Sequence, residues 1–226
     1  MANYVSPVHT LLIHNNCYTN CQTIQSIDLH KIDWVNNSMG QAFEDCKNIK
    51  TILNISTSVT NMGYCFRNCT ALVDAPTIPS SVLDFGGTFF GCIALVNAPI
   101  IPSSVTRMVQ SFQGCTKMST APTIPASVTN VVSMFQGCTN LTGNITINSN
   151  KITDAANCFN GTSKTKNVFI PFVYSNGVNS ATYNAFTTAG YKIDGSRNGV
   201  FLKDSTGNYF TLTVNPTPSD ATVTLT

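Results

Sequence analysis

A fixed period of 23 residues runs through most of the chain and limits its fold more than any other feature. In each of the five full copies an aromatic residue is followed three residues later by a cysteine, and three residues after that by an aliphatic residue or methionine. Degenerate copies begin at Tyr18 and Phe159, which gives seven copies. A period of this length predicts stacked coils, each of which contacts only its neighbours. The five full copies contain Phe43, Phe66, Phe89, Phe112 and Phe135, then Cys46, Cys69, Cys92, Cys115 and Cys138, then Ile49, Leu72, Leu95, Met118 and Leu141.

Within one copy, the apolar spacing predicts which side chains face the interior. Apolar residues recur every three or four positions, as in the copy from residue 81 to 103, at Val82, Phe85, Phe89, Cys92, Leu95, Ala98 and Ile101. Short strands are predicted at the Ser-Val-Thr and Ala-Pro-x-Ile-Pro segments, each pairing with the same segment of the next coil at about 4.8 Å. Prolines such as Pro76 and Pro79 cannot donate to a strand ladder, so they are predicted at strand ends and corners.

Three repeated segments carry a resemblance to a known family. S-V-T-x-M, F-x-G-C-T-x-L and A-P-x-I-P recur, as in residues 127–138 and 115–125. They resemble the BspA-like leucine-rich repeats of bacterial surface proteins and bacteriophage proteins, over about residues 18–161. The resemblance implies a repeat solenoid, a right-handed leucine-rich-repeat-like coil with short β-strands and short helical turns. It also implies adhesion or protein binding, with no catalytic residues.

The period divides the chain into four predicted parts. Residues 1–16 are expected to be an N-terminal cap, and residues 17–165 a solenoid of about seven coils. Residues 166–204 are expected to form a small α+β C-terminal cap, with strands at 168–173 and 199–203 and a helix at 180–189. Residues 205–226 read as a linker and the first strand of a following module, which resembles the opening of a PEGA-type or immunoglobulin-like module. We therefore expect a segment of a longer protein, or a protein that leaves its cell without the signal peptide that this chain lacks.

Composition excludes two classes of partner. Only 10% of the residues are charged and the net charge is +2, with no basic block, so nucleic acid is not an expected ligand. No stretch approaches the roughly 18 apolar residues of a membrane span, so membrane insertion is not expected. Hydrophobic residues make up 42% of the chain, enough for a substantial core.

The nine cysteines fall on two repeat positions. Six occupy the cysteine column, and Cys17, Cys65 and Cys158 each precede the repeat aromatic, so we predict buried free thiols, with cross-coil disulfides as the alternative. The only metal-like set is His14, Cys17, Cys21 and His30, whose spacing matches zinc sites poorly, so no metal or cofactor is predicted.

No residue set points to catalysis. The acidic residues are scattered, and no Ser, His and Asp combination lies in a nucleophile context. The Gly86 and Gly87 pair lacks the lysine of a phosphate-binding loop. We therefore predict that the protein is not an enzyme.

Binding is predicted on outward columns of equivalent residues, which form flat surfaces along a stack. Phe90 is predicted to be either an exposed aromatic anchor or a local packing adjustment, because the neighbouring coils have Arg or Gln at its position. The first column contains Glu44, Arg67, Phe90, Gln113 and Gln136, and the second contains Val73, Val96, Ser119 and Thr142, with Asp74, Asn97 and Thr120 beside it.

Together these features predict a non-enzymatic binding or adhesion module, extracellular on a bacterial cell surface or phage virion. Its expected partner is a protein or glycan on a host or cell surface, and a homo-oligomer is left open. One alternative is a structural virion or fibre component that assembles with itself and binds no receptor. A third interpretation is an intracellular scaffold that binds another protein.

Overall fold

The computed structural model describes residue 14 and residues 16–29, 32–143, 145–149 and 151–162, and elsewhere it describes strands by their backbone alone. The strands are short, and one turn of 3-10 helix spans Val35–Asn37. The strands are β1 (Leu11–Ile13), β2 (Ser26–Asp28), β3 (Ile32–Trp34), β4 (Thr51–Leu53), β5 (Ile145–Thr146), β6 (Asn167–Phe169), β7 (Lys192–Ile193), β8 (Gly199–Lys203), β9 (Tyr209–Val214) and β10 (Val223–Leu225).

Strand pairing follows the repeat along most of the chain. β1 pairs with β3 and β2 pairs with β4, both in parallel. β5, β6 and β7 form a parallel sheet in that order. Parallel pairing between successive segments is what stacked coils require, because each coil returns to the same place in the same direction. β8, β9 and β10 instead form an antiparallel sheet.

Across the middle of the chain, successive coils contribute single residues to two ladders of parallel bridges, and one further bridge joins Ile124 and Ile147. The first ladder directly follows the Ser-Val-x segments and the second directly precedes the Ala-Pro segments, so single-residue bridges stand beside the segments where short strands were predicted. In the second ladder a proline follows two residues later, and it stops the pairing because it has no N–H group. The ladders are Ser38, Asn61, Asp84, Arg107, Asn130 and Asp154, and Asp74, Asn97 and Thr120.

The corner that carries the aromatic residue is built from two alternating sets of hydrogen bonds. The N–H groups of Tyr64, Phe66 and Asn68 donate to carbonyl oxygens of the next coil at 2.7–2.9 Å. The intervening N–H groups of Cys65 and Arg67 donate to the carbonyl three residues back. The next coils repeat this alternation, so every corner is bonded both to itself and to its neighbour.

The prediction of short helical turns at these corners is wrong for the described residues, where the turn at Val35–Asn37 is the one helix. Two residues in each corner, four positions apart, have a left-handed backbone, as at Gln110 (φ 58°) and Gly114 (φ 76°). A left-handed residue interrupts a right-handed helix after one turn. The requirement also explains the Gly of the F-x-G-C segment, since Gly adopts this conformation without steric cost.

The aromatic column forms a continuous stack in the interior, as predicted. Tyr18 stacks on Phe43 with ring centres 5.1 Å apart. Each later pair of rings from neighbouring coils is 5.6–5.9 Å apart, with planes within 21° of parallel. All six Phe rings of the stack are buried. Offset stacking at this distance is favourable, so each coil both covers its neighbour's ring and is covered in turn.

The cysteine column has a bonding role in addition to filling space. From Cys46 to Cys138, each thiol of the column donates to the backbone carbonyl of the aromatic residue in the preceding coil, as from Cys92 to Phe66 at 3.0 Å and from Cys115 to Phe89 at 3.1 Å. All nine cysteines are free, and seven are buried as predicted, whereas the prediction of burial is wrong for Cys17, which is exposed, and for Cys21, which is half-buried. A cysteine therefore joins two coils where alanine could only fill the space.

Toward the C-terminus, two strands lie at or near positions where strands were predicted. β6 overlaps the predicted strand at 168–173 and continues the parallel pairing from β5, and β8 coincides with the predicted strand at 199–203. The predicted helix at 180–189 lies outside the described residues. β8 pairs with β9 and not with β7.

Candidate functional site

In the first predicted column, side-chain contacts link Glu44, Arg67 and Phe90. Arg67 donates from Nη1 to Glu44 Oε1 at 2.6 Å, and its guanidinium carbon lies 5.2 Å from the centre of the Phe90 ring. Glu44 is buried, whereas Arg67, Phe90, Gln113 and Gln136 are half-buried. Phe90 therefore lies on the surface against Arg67 and is outside the core, an arrangement that a cation–π contact stabilises.

Tyr64 adds an aromatic side chain to this column that the sequence analysis did not identify. The guanidinium carbon of Arg67 lies 5.9 Å from the centre of the Tyr64 ring. Its hydroxyl donates to Gln110 Oε1 at 2.7 Å, two coils further along the stack. The ring reaches that far because it passes over Gly87, where a side chain would overlap it. The signal in the sequence is the Gly86 and Gly87 pair, which no other coil has at these positions.

Arg107 lies over the other glycine of the pair. Its guanidinium donates to Asp84 Oδ1 at 3.0 Å and occupies the space that a side chain at Gly86 would need. In the ladder that contains Arg107, the side chains of Asn61, Asp84 and Asn130 each accept from the N–H two residues later. The Arg107 side chain has no hydrogen-bond acceptor for such a turn. It forms an ion pair with Asp84 of the preceding coil instead.

Replacing Gly87 with Ala is expected to destabilise the protein more than replacing Gly114, although both have positive φ. A methyl group at Gly114 meets backbone atoms no closer than 3.6 Å, so that variant carries only the left-handed strain, about 1 kcal/mol. Gly87→Ala must also displace the Tyr64 ring and its hydrogen bond, which adds about 1 kcal/mol. Urea unfolding measures both, and a Tyr64→Ala background should remove the difference. If Gly87→Ala lowered the free energy of unfolding by the same amount in the Tyr64→Ala background as in the wild type, the packing of Tyr64 on Gly87 would be contradicted.

The second predicted column is continuous and more exposed. Asp74, Asn97 and Thr120 form its bridges and their side chains are exposed. The N–H of Val96 donates to the Val73 carbonyl at 3.1 Å, and that of Ser119 donates to the Val96 carbonyl at 3.4 Å. Val73 is exposed, and Val96 and Ser119 are half-buried. This surface offers small polar groups and methyl groups, with no concentration of charge.

The two cysteines of the first coil differ from those of the interior. Cys17 is exposed and Cys21 is half-buried. A hydrogen bond with the Thr23 hydroxyl, at 3.4 Å from Sγ, lowers the pKa of Cys21, whereas burial raises the pKa of Cys92 and Cys115 well above the ordinary value. Within the described part of the chain, no three His, Cys, Asp or Glu side chains are grouped to hold a metal ion. Of the four residues considered for zinc, His30 lies outside that part.

No helix in the described residues has both the length and the apolar character to cross a membrane.

A family model places the chain among known proteins. The model described as a BspA type leucine rich repeat region matches residues 1–119 with six copies, which is more than half of the chain. The chain belongs to this family. A second model, described as a Mycoplasma protein of unknown function, matches residues 79–172. BspA-type repeat proteins are generally surface adhesion or binding modules and are typically non-enzymatic, and leucine-rich repeat domains generally mediate protein binding.

Two solved structures resemble this BspA-type chain. A leucine-rich repeat protein of T. pallidum has a TM-score of 0.50 at 18% identity, covering 82% of this chain and 79% of that one. A leucine-rich repeat protein from Bacteroides ovatus has a TM-score of 0.41 at 23% identity, covering 62% of this chain and 48% of that one. The T. pallidum structure supports the leucine-rich-repeat fold. No curated protein matches the sequence.

Proposed function

We propose that this chain is a non-enzymatic binding module displayed on a surface, where it recognises a protein or glycan on a host or another cell. The observation that carries the proposal is that each coil has one set of buried residues, which bonds it to its neighbours, and a separate set of outward residues. The aromatic and cysteine columns are buried and bonded from coil to coil. On the outside, contacts join Glu44, Arg67 and Phe90 of three successive coils, and bridges join Asp74, Asn97 and Thr120. Such rows suit extended contact with a partner.

The proposal extends to architecture and location. The coils form a right-handed solenoid over residues 17–165, with caps at 1–16 and 166–204, and residues 205–226 lead into a following module. The protein acts outside the cell, on a bacterial surface or a phage virion. Support for this location comes from the family, whose members are commonly surface-associated, and from a surface with few charges.

Cell binding by the isolated chain tests the proposal. Fluorescently labelled protein is incubated with epithelial cells and with bacterial cells and measured by flow cytometry, with heat-denatured protein as the control. We expect saturable binding to at least one cell type. Treating the cells with protease or with periodate then distinguishes a protein receptor from a glycan.

The oligomeric state, measured by light scattering on the same sample, addresses the structural alternative. Stable assemblies of the chain without saturable binding to any cell would contradict the proposal. That outcome would favour a virion or fibre component that binds only its own copies.

A further inference from the structure

The coil from residue 81 to 103 is unlike its neighbours on the outside. At outward positions it carries apolar side chains, and three of them are 46–92% exposed. Because the neighbouring coils fold with threonine at the equivalent positions, the fold does not require these apolar residues. Phe90 likewise stands between Arg67 and Gln113. The exposed apolar residues are Leu83, Ile93 and Ile100, flanked by Thr60 and Thr106, Thr70 and Thr116, and Thr77 and Thr123.

Four side chains of the types that most often dominate protein interfaces lie on this coil or contact it. Both arginines of the described residues contact this coil from its neighbours, Arg67 of the preceding coil at Phe90 and Arg107 of the following coil at Asp84. Tyr64 lies across its Gly87. Tyr, Arg and other aromatic residues are enriched where binding energy concentrates. We call Tyr64, Arg67, Phe90 and Arg107 the Phe90 patch.

The Phe90 patch is held rigid before any partner arrives. Arg67 is fixed by Glu44 on one side and by two rings on the other. Tyr64 is fixed by its bond to Gln110, and Arg107 by its pair with Asp84. Side chains that are already ordered lose little conformational entropy on binding, so contacts made with them contribute more to affinity.

The charges and the half-buried rings of the patch indicate what it would bind. Each arginine is paired with an acid, so the patch attracts neither acidic nor basic partners strongly. The rings of Tyr64 and Phe90 are half-buried, so part of their apolar surface remains uncovered. An apolar side chain on an uncharged segment is therefore the group that matches the patch.

We propose that the Phe90 patch is a preformed docking site for a protein segment that presents an apolar side chain on an uncharged stretch of backbone. The apolar side chain packs against the Phe90 and Tyr64 rings. This inference rests on the proposed binding function and names the partner class and the residues for it.

Selection from a random dodecapeptide library displayed on phage tests the proposal on the full chain. Peptides enriched on the wild type are synthesised, and their affinities are measured for Phe90→Gln and Arg67→Gln, which introduce the residue found at Gln113 and Gln136. Two matched controls are Leu53→Thr, an apolar-to-polar change at an exposed side chain outside this coil, and Lys117→Gln, which also removes one positive charge. Thermal unfolding verifies that all four variants remain folded.

We expect enriched peptides to share an apolar residue and to bind Phe90→Gln and Arg67→Gln at least tenfold more weakly, with both controls unchanged. Enriched peptides that bind these two variants as tightly as the wild type would overturn the docking site and leave the binding function standing. Failure to enrich any peptide would overturn the docking site as well, and cell binding would then decide the binding function separately.

Discussion

Replacing Phe112 with Ala is expected to lower the free energy of unfolding by about 3–5 kcal/mol. Phe112 is fully buried between Phe89 and Phe135, with ring centres 5.9 and 5.7 Å away, and its ring also lies 6.0 Å from that of Phe85. Truncation leaves a cavity that neighbouring coils cannot fill, because their own rings are fixed by the same stack. Urea unfolding followed by circular dichroism measures the loss.

Phe112→Leu is the control, because it retains much of the apolar volume at the same position. It is expected to lose about 1 kcal/mol, well below the alanine variant. It also keeps the comparison measurable if Phe112→Ala does not fold. An alanine variant within 0.5 kcal/mol of wild type would show that the ring is not part of the interior.

Raising the pH from 9 to 10 is expected to lower the free energy of unfolding by about 5 kcal/mol through five buried thiols. Burial raises the pKa of these thiols well above the ordinary value of 9.0, and neighbouring cysteines of the column raise it further. They remain protonated in the folded chain and ionise near pH 9 only when it unfolds. Stability is therefore fully present below pH 9 and lost as the pH rises above it, by about 1 kcal/mol per thiol over this interval. The thiols are Cys65, Cys69, Cys92, Cys115 and Cys158.

Urea titrations between pH 8 and 10.5 under reducing conditions measure this loss. Lysine and tyrosine side chains titrate in the same range, so a Cys92→Ala and Cys115→Ala double variant serves as the control. It should lose about 2 kcal/mol less than the wild type between pH 9 and 10. The same pH dependence in both proteins would contradict the burial of these two thiols.

The sequence predicted the parts of the fold that depend on which residue occupies each repeat position. Phe89 and Cys92 are buried because the same residue types recur at the same step, so each coil supplies the contacts that the next one needs. The outward columns around Arg67 and Asp74 follow from the same repetition, since equivalent residues must lie side by side. Once the period is known, the residues that lie next to one another within a column are known as well.

The parts that the sequence did not predict depend on local backbone conformation and on departures from the repeat. The corners lack helical turns because residues such as Tyr64 and Asn68 have a left-handed backbone, which neither residue type requires. The bond from Tyr64 to Gln110 crosses a whole coil, and it forms only because Gly87 leaves room for the ring. Arg107 breaks the pattern of its own ladder, so the repeat could not indicate its pair with Asp84.

Alkylation of the native protein with iodoacetamide, read by mass spectrometry, tests the stacked interior most directly. A stack closed around its sulfur and aromatic columns leaves Cys17 and Cys21 to react and protects the other seven thiols until the chain is unfolded in urea. Urea-unfolded protein, in which all nine should be labelled, is the control. If Cys92 and Cys115 were labelled in the native protein as fast as Cys17, the coils would not enclose a common core, and the account of the fold and its surface would fail.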